Sequence, residues 1–483
     1  MATQLVTWVC GLVAFIFIPR VLGSAAYGRV YLALSIQLIL SSVIDFGGNY
    51  LITKDISRNR EGASEIMSHA MTLRFILWAF SIVLANVVCL IAHYAPEVTT
   101  LVMILAFANV WINTMLLFRY CYLGFEDIKY PSIGAVAERG FMMVSVVIAL
   151  LIGAHELVVV ILIAMSGLLS FAISAKYSGT MFKFRFSIQW NTLKRLTTTG
   201  LPYFFWAVFG IIYFRINAVM LSLMALDNVV GWYGAAFRFF DVLMFLPSMF
   251  AQALYPIISR LSAREPDSMI RTTRKSLEFL FLTSIPIAVG MIFFAMPIIA
   301  LLLGLPAFGP SVPVLQLLSF GTVLTYVDFV LGNSVLALDK EKKWAFVGFG
   351  AMLVNIGLNL ILIKHFQSHY GNGGLGAAIA TDLTELFVMI CAASKLPKRI
   401  YGGGLGAVTA KGVIAGGSMA LLIFEGQRIE IPSPLLAPVG IMAYCGLIVI
   451  FRPLDRTEIE YITSAVSARN IRRMLAKRRG VDA

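Results

Sequence analysis

Charge is what this sequence has least of. Only 13% of its 483 residues are Asp, Glu, Lys or Arg, while 59% are hydrophobic. A soluble domain carries about a quarter of its residues as charges, so the balance excludes that class. Cysteine is sparse as well. Cys10, Cys89, Cys121, Cys391 and Cys445 lie scattered in apolar stretches without metal-ligand or disulfide-framework spacing. They read as small buried hydrophobes. Long polar loops are missing too, and with them the place where a membrane-bound polymerase or transferase would gather carboxylates and histidines. The reading is therefore not an enzyme, with no metal site.

Apolar segments fill the space. Fourteen candidate spans run over 5–22, 29–52, 68–92, 98–121, 131–152, 157–177, 201–224, 229–256, 276–303, 311–337, 344–363, 375–395, 406–425 and 434–451. Crossing a hydrocarbon core about 30 Å thick takes about 20 such residues. The fold class is thus an all-α integral membrane protein of about 14 transmembrane helices. No basic region precedes the first run, which continues straight into a second, so it is expected to be a transmembrane helix and not a cleaved signal peptide.

The basic residues are arranged by side. With the gaps taken alternately, one set holds only Arg20, Arg29, Lys364 and Arg428. Nearly all the other Lys and Arg crowd the second set and the tails. Lys and Arg resist translocation, so the crowded side is expected to be cytoplasmic, with both termini inside. The net charge of +13 belongs to those loops and calls for no nucleic acid. Groups such as Arg58 to Arg60, Lys194-Arg195, Arg271 to Lys275 and Lys340 to Lys343 can rest on the headgroups of membrane lipids, at roughly 1 kcal/mol per charge.

The chain also echoes itself. Tyr27-Gly28-Arg29, followed by a span and Ile56-Ser57-Arg58, returns as Val230-Gly231-Trp232, a span and Ile258-Ser259-Arg260. Leu123 to Lys129 is echoed by Ala337 to Lys343. Two six-helix lobes in a parallel repeat, with two extra C-terminal helices, follow from this pattern. The expected units are 1–178, a cytoplasmic linker 179–200, a second lobe 201–400, helices 13 and 14 over 401–452, and a basic tail 453–483. From Asp455 to Arg479 the tail has the pattern of an amphipathic helix lying on the inner leaflet.

Ionisable residues inside spans carry the chemistry. Each costs about 2.5–3.5 kcal/mol at a helix centre, so it should face a partner or a watery cavity. Asp45, Arg238, Asp241, Asp328, Asp382 and Glu385 are placed so. Arg238 and Asp241 can pair along one face. Asp382 and Glu385 share that spacing but repel, which makes them candidates to carry a proton or sodium ion; Asp45, Asp241 and Asp328 join them as ion-coupling candidates. Arg215 has no acid within reach on its own span. It can pair across helices, for example with Asp328, or offer its planar fork to a phosphate-bearing cargo. Arg74, Arg119 and Arg139 lie nearer the cytoplasmic ends, where they can snorkel or line an inner vestibule. Two motifs are decoys. Gly371 to Gly376 fits a dinucleotide fingerprint but opens a membrane span without a preceding strand, so it reads as a turn. His365 and His369 lack companion ligands.

Several of these segments resemble the Wzx-type polysaccharide flippases of the multidrug/oligosaccharidyl-lipid/polysaccharide exporter superfamily. The resembling residues are Pro19-Arg20-Val21-Leu22-Gly23 with Tyr27-Gly28, Asp45-Phe46-Gly47, Gly231 to Arg238, Asn355 with Asn359, and Gly374 to Thr381 with Glu385. Lys364-His365 stands where the family commonly has a proline. The resemblance implies a flippase for undecaprenyl-diphosphate-linked oligosaccharide in the bacterial cytoplasmic (inner) membrane, serving O-antigen, capsule or exopolysaccharide synthesis. It implies alternating access, a cationic cavity lined by Arg215, Arg238, Arg74, Arg119 and Arg139, and no cofactor beyond a proton or sodium gradient. A polysaccharide polymerase and glycosyltransferases are the implied partners. A multidrug/cation antiporter and a peptidoglycan-precursor flippase are the alternatives, and a membrane enzyme of glycan assembly the remote one.

Overall fold

In the computed structural model, residues 2–126, 129–178 and 190–451 are described. The expected basic tail and most of the expected linker lie outside these residues. Every described regular element is a helix. In order they are α1 (Ala2–Asp45), α2 (Gly48–Arg58), α3 (Ala63–Ile91), α4 (Pro96–Gly124), α5 (Lys129–Leu151), α6 (Glu156–Ser178), α7 (Trp190–Met224) and α8 (Asp227–Leu243). There follow α9 (Phe245–Arg264), α10 (Pro266–Leu302), α11 (Leu305–Phe308), α12 (Ser311–Ala337), α13 (Glu341–Tyr370), α14 (Gly373–Lys395), α15 (Leu405–Arg428) and α16 (Ser433–Phe451).

Thirteen helical stretches among the described residues are long and apolar enough to cross a membrane. α1 accounts for two crossings. At 1.5 Å per residue it would reach about 66 Å, roughly twice a hydrocarbon core. The chain turns at Gly23, whose φ of 77° and ψ of 174° only glycine adopts freely, one turn after Pro19. With α1 counted twice there are fourteen, in the order expected from the sequence.

Two boundaries differ from that expectation. The second span stops at Asp45, because Phe46 (φ 49°) and Gly47 (φ 69°) break the helix before α2. Asp45 is therefore at a helix end and not inside a span. The eighth span is interrupted at Met244, between α8 and α9.

α3 to α6 pack around α1, with α2 held by α3 and α4; α8, α10, α13 and α14 pack around α12 and α7, and α15 and α16 lie against α10. α1 meets α7 and α8 across the middle. The largest apolar core spans that meeting, from Tyr27 and Val30 through Val102 and Val159 to Val230, Phe237 and Phe308. Outward faces carry exposed apolar side chains such as Ile91, Ile152 and Leu301, as bilayer-facing helices do. Cys445 is also exposed, which corrects its reading as a buried hydrophobe; burial holds for Cys10, Cys89 and Cys121.

At the end poor in basic residues, α1 and α8 cross backbone to backbone. A Cβ on Gly28 would overlap the Asp227 carbonyl, and one on Gly231 the Ser24 carbonyl. At the opposite end the same halves meet through rings. Trp8 of α1 packs on Phe245 of α9 at 4.2 Å, and Phe46 stacks on Phe204 of α7 at 4.5 Å.

Candidate functional site

α7 organises the interior polar groups. Tyr213 and Asn217 are one helical turn apart and share a face; Arg215, between them, points to the other side. From that side the Arg215 guanidinium reaches Asp241 of α8 at 3.1 Å. Arg238, one turn before Asp241, approaches the same oxygen at 3.9 Å. Arg215 also lies over the Phe237 ring, 5.5 Å from its centroid, which a cation favours. Tyr31 stands beside Arg215 and Tyr27 beside Arg238. Among the described residues Asp241 is the only carboxylate paired with either guanidinium. Two cations thus share one anion. The group is partly open, with side-chain exposures of 14% for Arg215, 34% for Arg238 and 25% for Asp241.

A second Arg–Asp pair is built differently. Arg74 of α3 is 5% exposed and donates to the Asp45 carboxylate and to the Asn113 carbonyl. Its guanidinium sits 5.6 Å over the Tyr120 ring. One cation meets one anion, and a second donor is held by the Asn113 carbonyl. Arg74 therefore does not snorkel: the break after Asp45 leaves that carboxylate free to turn toward it, and the two line a pocket with Phe46, Gly48 and Leu73. Arg119 on α4 and Arg139 on α5 are exposed.

On the other face of α7 lies a polar spine. Asn217 donates to Tyr233 of α8 at 2.7 Å and to Thr381 of α14 at 2.8 Å. Asn359 of α13 donates to the Asn217 side chain at 2.7 Å and to the Asn355 side chain at 2.8 Å, and Asn355 donates to Thr384 at 3.3 Å. One turn along, Tyr213 donates to Glu385 of α14. Asp328 of α12 faces that same carboxyl. Both Asp328 oxygens and Asp382 Oδ1 are buried without a hydrogen-bond partner, and Asp382 lies against Gly321. Asp328 therefore joins Glu385, and is not the partner of Arg215.

Sequence reasoning missed the amide spine and a third charged group. At the end poor in basic residues, Arg29 donates to Glu156 of α6 at 2.5 Å and to Asp227 of α8 at 3.2 Å. The fingerprint-like glycines form the expected turn, with Gly371 capping α13 at φ 63° and Asn372 capping α14.

The family model described as polysaccharide biosynthesis protein matches residues 1–262, more than half of the chain. The chain belongs to that family. A MatE family model matches residues 202–361. Among curated relatives, a probable flippase, AglR, of Haloferax volcanii is 26% identical over 52% of this chain and 55% of its own length. A probable low-salt glycan biosynthesis flippase of the same organism, Agl15, is 26% identical over 36% of each chain. The matched region spans about half the length of the first relative. Among solved structures, the lipid II flippase MurJ in an inward closed conformation superposes with a TM-score of 0.75 at 15% identity, over 93% of this chain and 99% of its own. An inward-facing multidrug resistance transporter of the MATE family gives 0.67 at 16% identity, over 84% and 96%. These likenesses establish the superfamily fold that the sequence motifs pointed to.

Proposed function

We propose that this family member flips a lipid-linked oligosaccharide, carried on undecaprenyl diphosphate, from the inner to the outer leaflet of the bacterial cytoplasmic membrane. The observation that carries the reading is the excess positive charge of Arg215 and Arg238 around a single carboxylate, deep among apolar helices. A drug/cation antiporter would want the opposite sign there. A bare guanidinium costs several kcal/mol at membrane depth, and a diphosphate that enters compensates it with charge-assisted hydrogen bonds. The names of the curated relatives support a flippase and not an enzyme. Arg119 and Arg139, both exposed, serve in this reading as a cationic approach from the basic-rich side, which is the cytoplasmic one and holds both termini. The lobes 1–178 and 201–400 rock about the α1–α8 crossing in alternating access.

Coupling belongs to the acids opposite Arg215. Glu385 and Asp328 face each other without a cation, so one proton or one sodium ion shared between them relieves the repulsion of like charges. No cofactor takes part. Product release feeds a polymerase, and glycosyltransferases supply the cargo.

The test is Arg215→Ala, scored by lipid-linked repeat units left at the inner leaflet against protein level. Export should fall about ten- to a hundredfold, the value of one charged hydrogen bond at about 1.5–3 kcal/mol, and Arg215→Lys should restore only part. Normal export in the Ala variant overturns the proposal. The whole-chain likeness to a lipid II flippase favours a second reading, in which the diphosphate carries a peptidoglycan precursor. Rescue of cells depleted of their own lipid II flippase would decide for it.

A further inference from the structure

Asp241 occupies the position that a cargo oxygen would take. Its Oδ2 lies 3.1 Å from Arg215 and 3.9 Å from Arg238, so a single oxygen bridges two guanidiniums from neighbouring helices. A second carboxylate–arginine contact, Asp45 with Arg74, is one to one and tied to the Asn113 carbonyl. Nothing comparable locks Asp241. It is a quarter exposed, and the second of its contacts is long for an ion pair. Each guanidinium carries five donors, and one carboxylate oxygen leaves most of them unused.

We infer that Asp241 is a placeholder counter-ion: it neutralises part of the cation pair when the cavity is empty, is displaced by the diphosphate of the cargo, and returns when the cargo leaves. The inference rests on the reading of Arg215 and Arg238 as the cargo site. Two consequences follow from the geometry. A polyvalent anion can fork onto both guanidiniums at once, whereas Asp241 offers each the same oxygen, so a diphosphate wins the exchange and a monoanion such as chloride does not. The competing carboxylate also holds affinity down, so that the cargo can leave on the far side. Asp241 is thus a residue that sets specificity and release, without being part of an ion path.

The experiment measures binding of inorganic pyrophosphate, and separately of a polyprenyl diphosphate, to the full chain in lipid nanodiscs. Asp241→Asn removes the competitor and should bind both probes about tenfold tighter or more, with slower flipping at saturating cargo. Arg215→Ala should lose both. A gain for the polyprenyl probe alone assigns the exchange to the lipid-borne diphosphate; equal gains assign it to the diphosphate group itself. Arg238→Gln/Asp241→Asn keeps the net charge of the group and serves if the single variant does not accumulate; it should bind pyrophosphate more tightly than Arg238→Gln alone. Unchanged or weaker binding in whichever variant folds, each against its own reference, overturns the placeholder role while leaving the cargo site intact, provided Arg215→Ala has lost binding. Retention of binding by Arg215→Ala overturns the cargo site, and the placeholder with it.

Discussion

The crossing of α1 and α8 gives a perturbation whose consequence can be worked out before it is made. Gly231→Ala places a methyl group against the Ser24 carbonyl, and Gly28→Ala places one against the Asp227 carbonyl. Both obstacles are backbone, which cannot swing aside as a side chain would. The clash exists only while the two helices touch, so the relief is to part them. Overpacking of this kind costs about 1–3 kcal/mol, which moves a two-state balance roughly 5- to 150-fold. The loss falls on the state closed at this end and spares each helix. Arg29 opposes the parting through Asp227, but it keeps its Glu156 partner when α8 moves away, so the resistance is partial. The double variant should fall short of the sum, because separation for one methyl makes room for the other. Disulfide formation between Ala25→Cys and Asn228→Cys, which flank the crossing, reports closure; it should slow by about tenfold in Gly231→Ala at unchanged protein level. Gly140→Ala, where a Cβ meets nothing within 4 Å, is the control. An undiminished cross-linking rate in Gly231→Ala would refute the contact and its part in closure.

Two further expectations separate structural from working charges. Arg74→Ala strands the part-buried Asp45 carboxylate and should cost up to about 3 kcal/mol, seen as lost protein in the membrane, while Asp45→Leu/Arg74→Met recovers most of it; full accumulation of the single variant would show the pair to be dispensable. Asp382→Asn/Glu385→Gln should abolish the dependence of flipping on the ion gradient; unaltered gradient dependence would return both residues to a structural role.

Hydropathy and charge placement made the helices legible, because each span must carry its own apolar length and no partner is needed to recognise it. The pairing of Arg238 with Asp241 was legible too, since three residues of helix bring them together. Arg215 was recognised as needing a partner, yet the partner named was Asp328. The two candidates are on different helices, and sequence spacing says nothing about which helix stands beside which. The partner of Arg74 was missed for another reason. Its capture depends on the chain ending α1 at Asp45, and the signal for that, Gly47 followed by Gly48, lies within an otherwise apolar run. The amide spine left a trace that could have been used. Asn355 and Asn359, Thr381 and Glu385, and Tyr213 and Asn217 are each four apart within apolar helices. A buried amide without a partner costs too much to be tolerated, so such pairs must meet one another.

The two halves of the fold solve the same interior differently, and the difference locates the working parts. In the first half the buried polar groups are neutral: Gln37 donates to Asn109 at 2.8 Å, and Ser41 to Asn113 at 3.1 Å. The charge pairs there, Asp45 with Arg74 and Arg29 with Glu156, each match a cation with a carboxylate. In the second half Asn217 of α7 anchors an amide network beside Asp328, Asp382 and Glu385, where no cation is recorded among the described residues. Asp328 and Asp382, whose buried oxygens lack a hydrogen-bond partner, both lie in this second half. α7 connects these acids to the proposed cargo site, because Tyr213 holds Glu385 while Arg215, two residues on, holds Asp241. In the proposed cycle, a proton or sodium ion arriving at Glu385 weakens the bond from Tyr213 and frees α7 to turn. A turn of α7 shifts Arg215 relative to Arg238, and the two guanidiniums then no longer present one bridging site. In that cycle ion binding and cargo release are linked through residues 213 to 217 of α7, without any contact between ion and cargo.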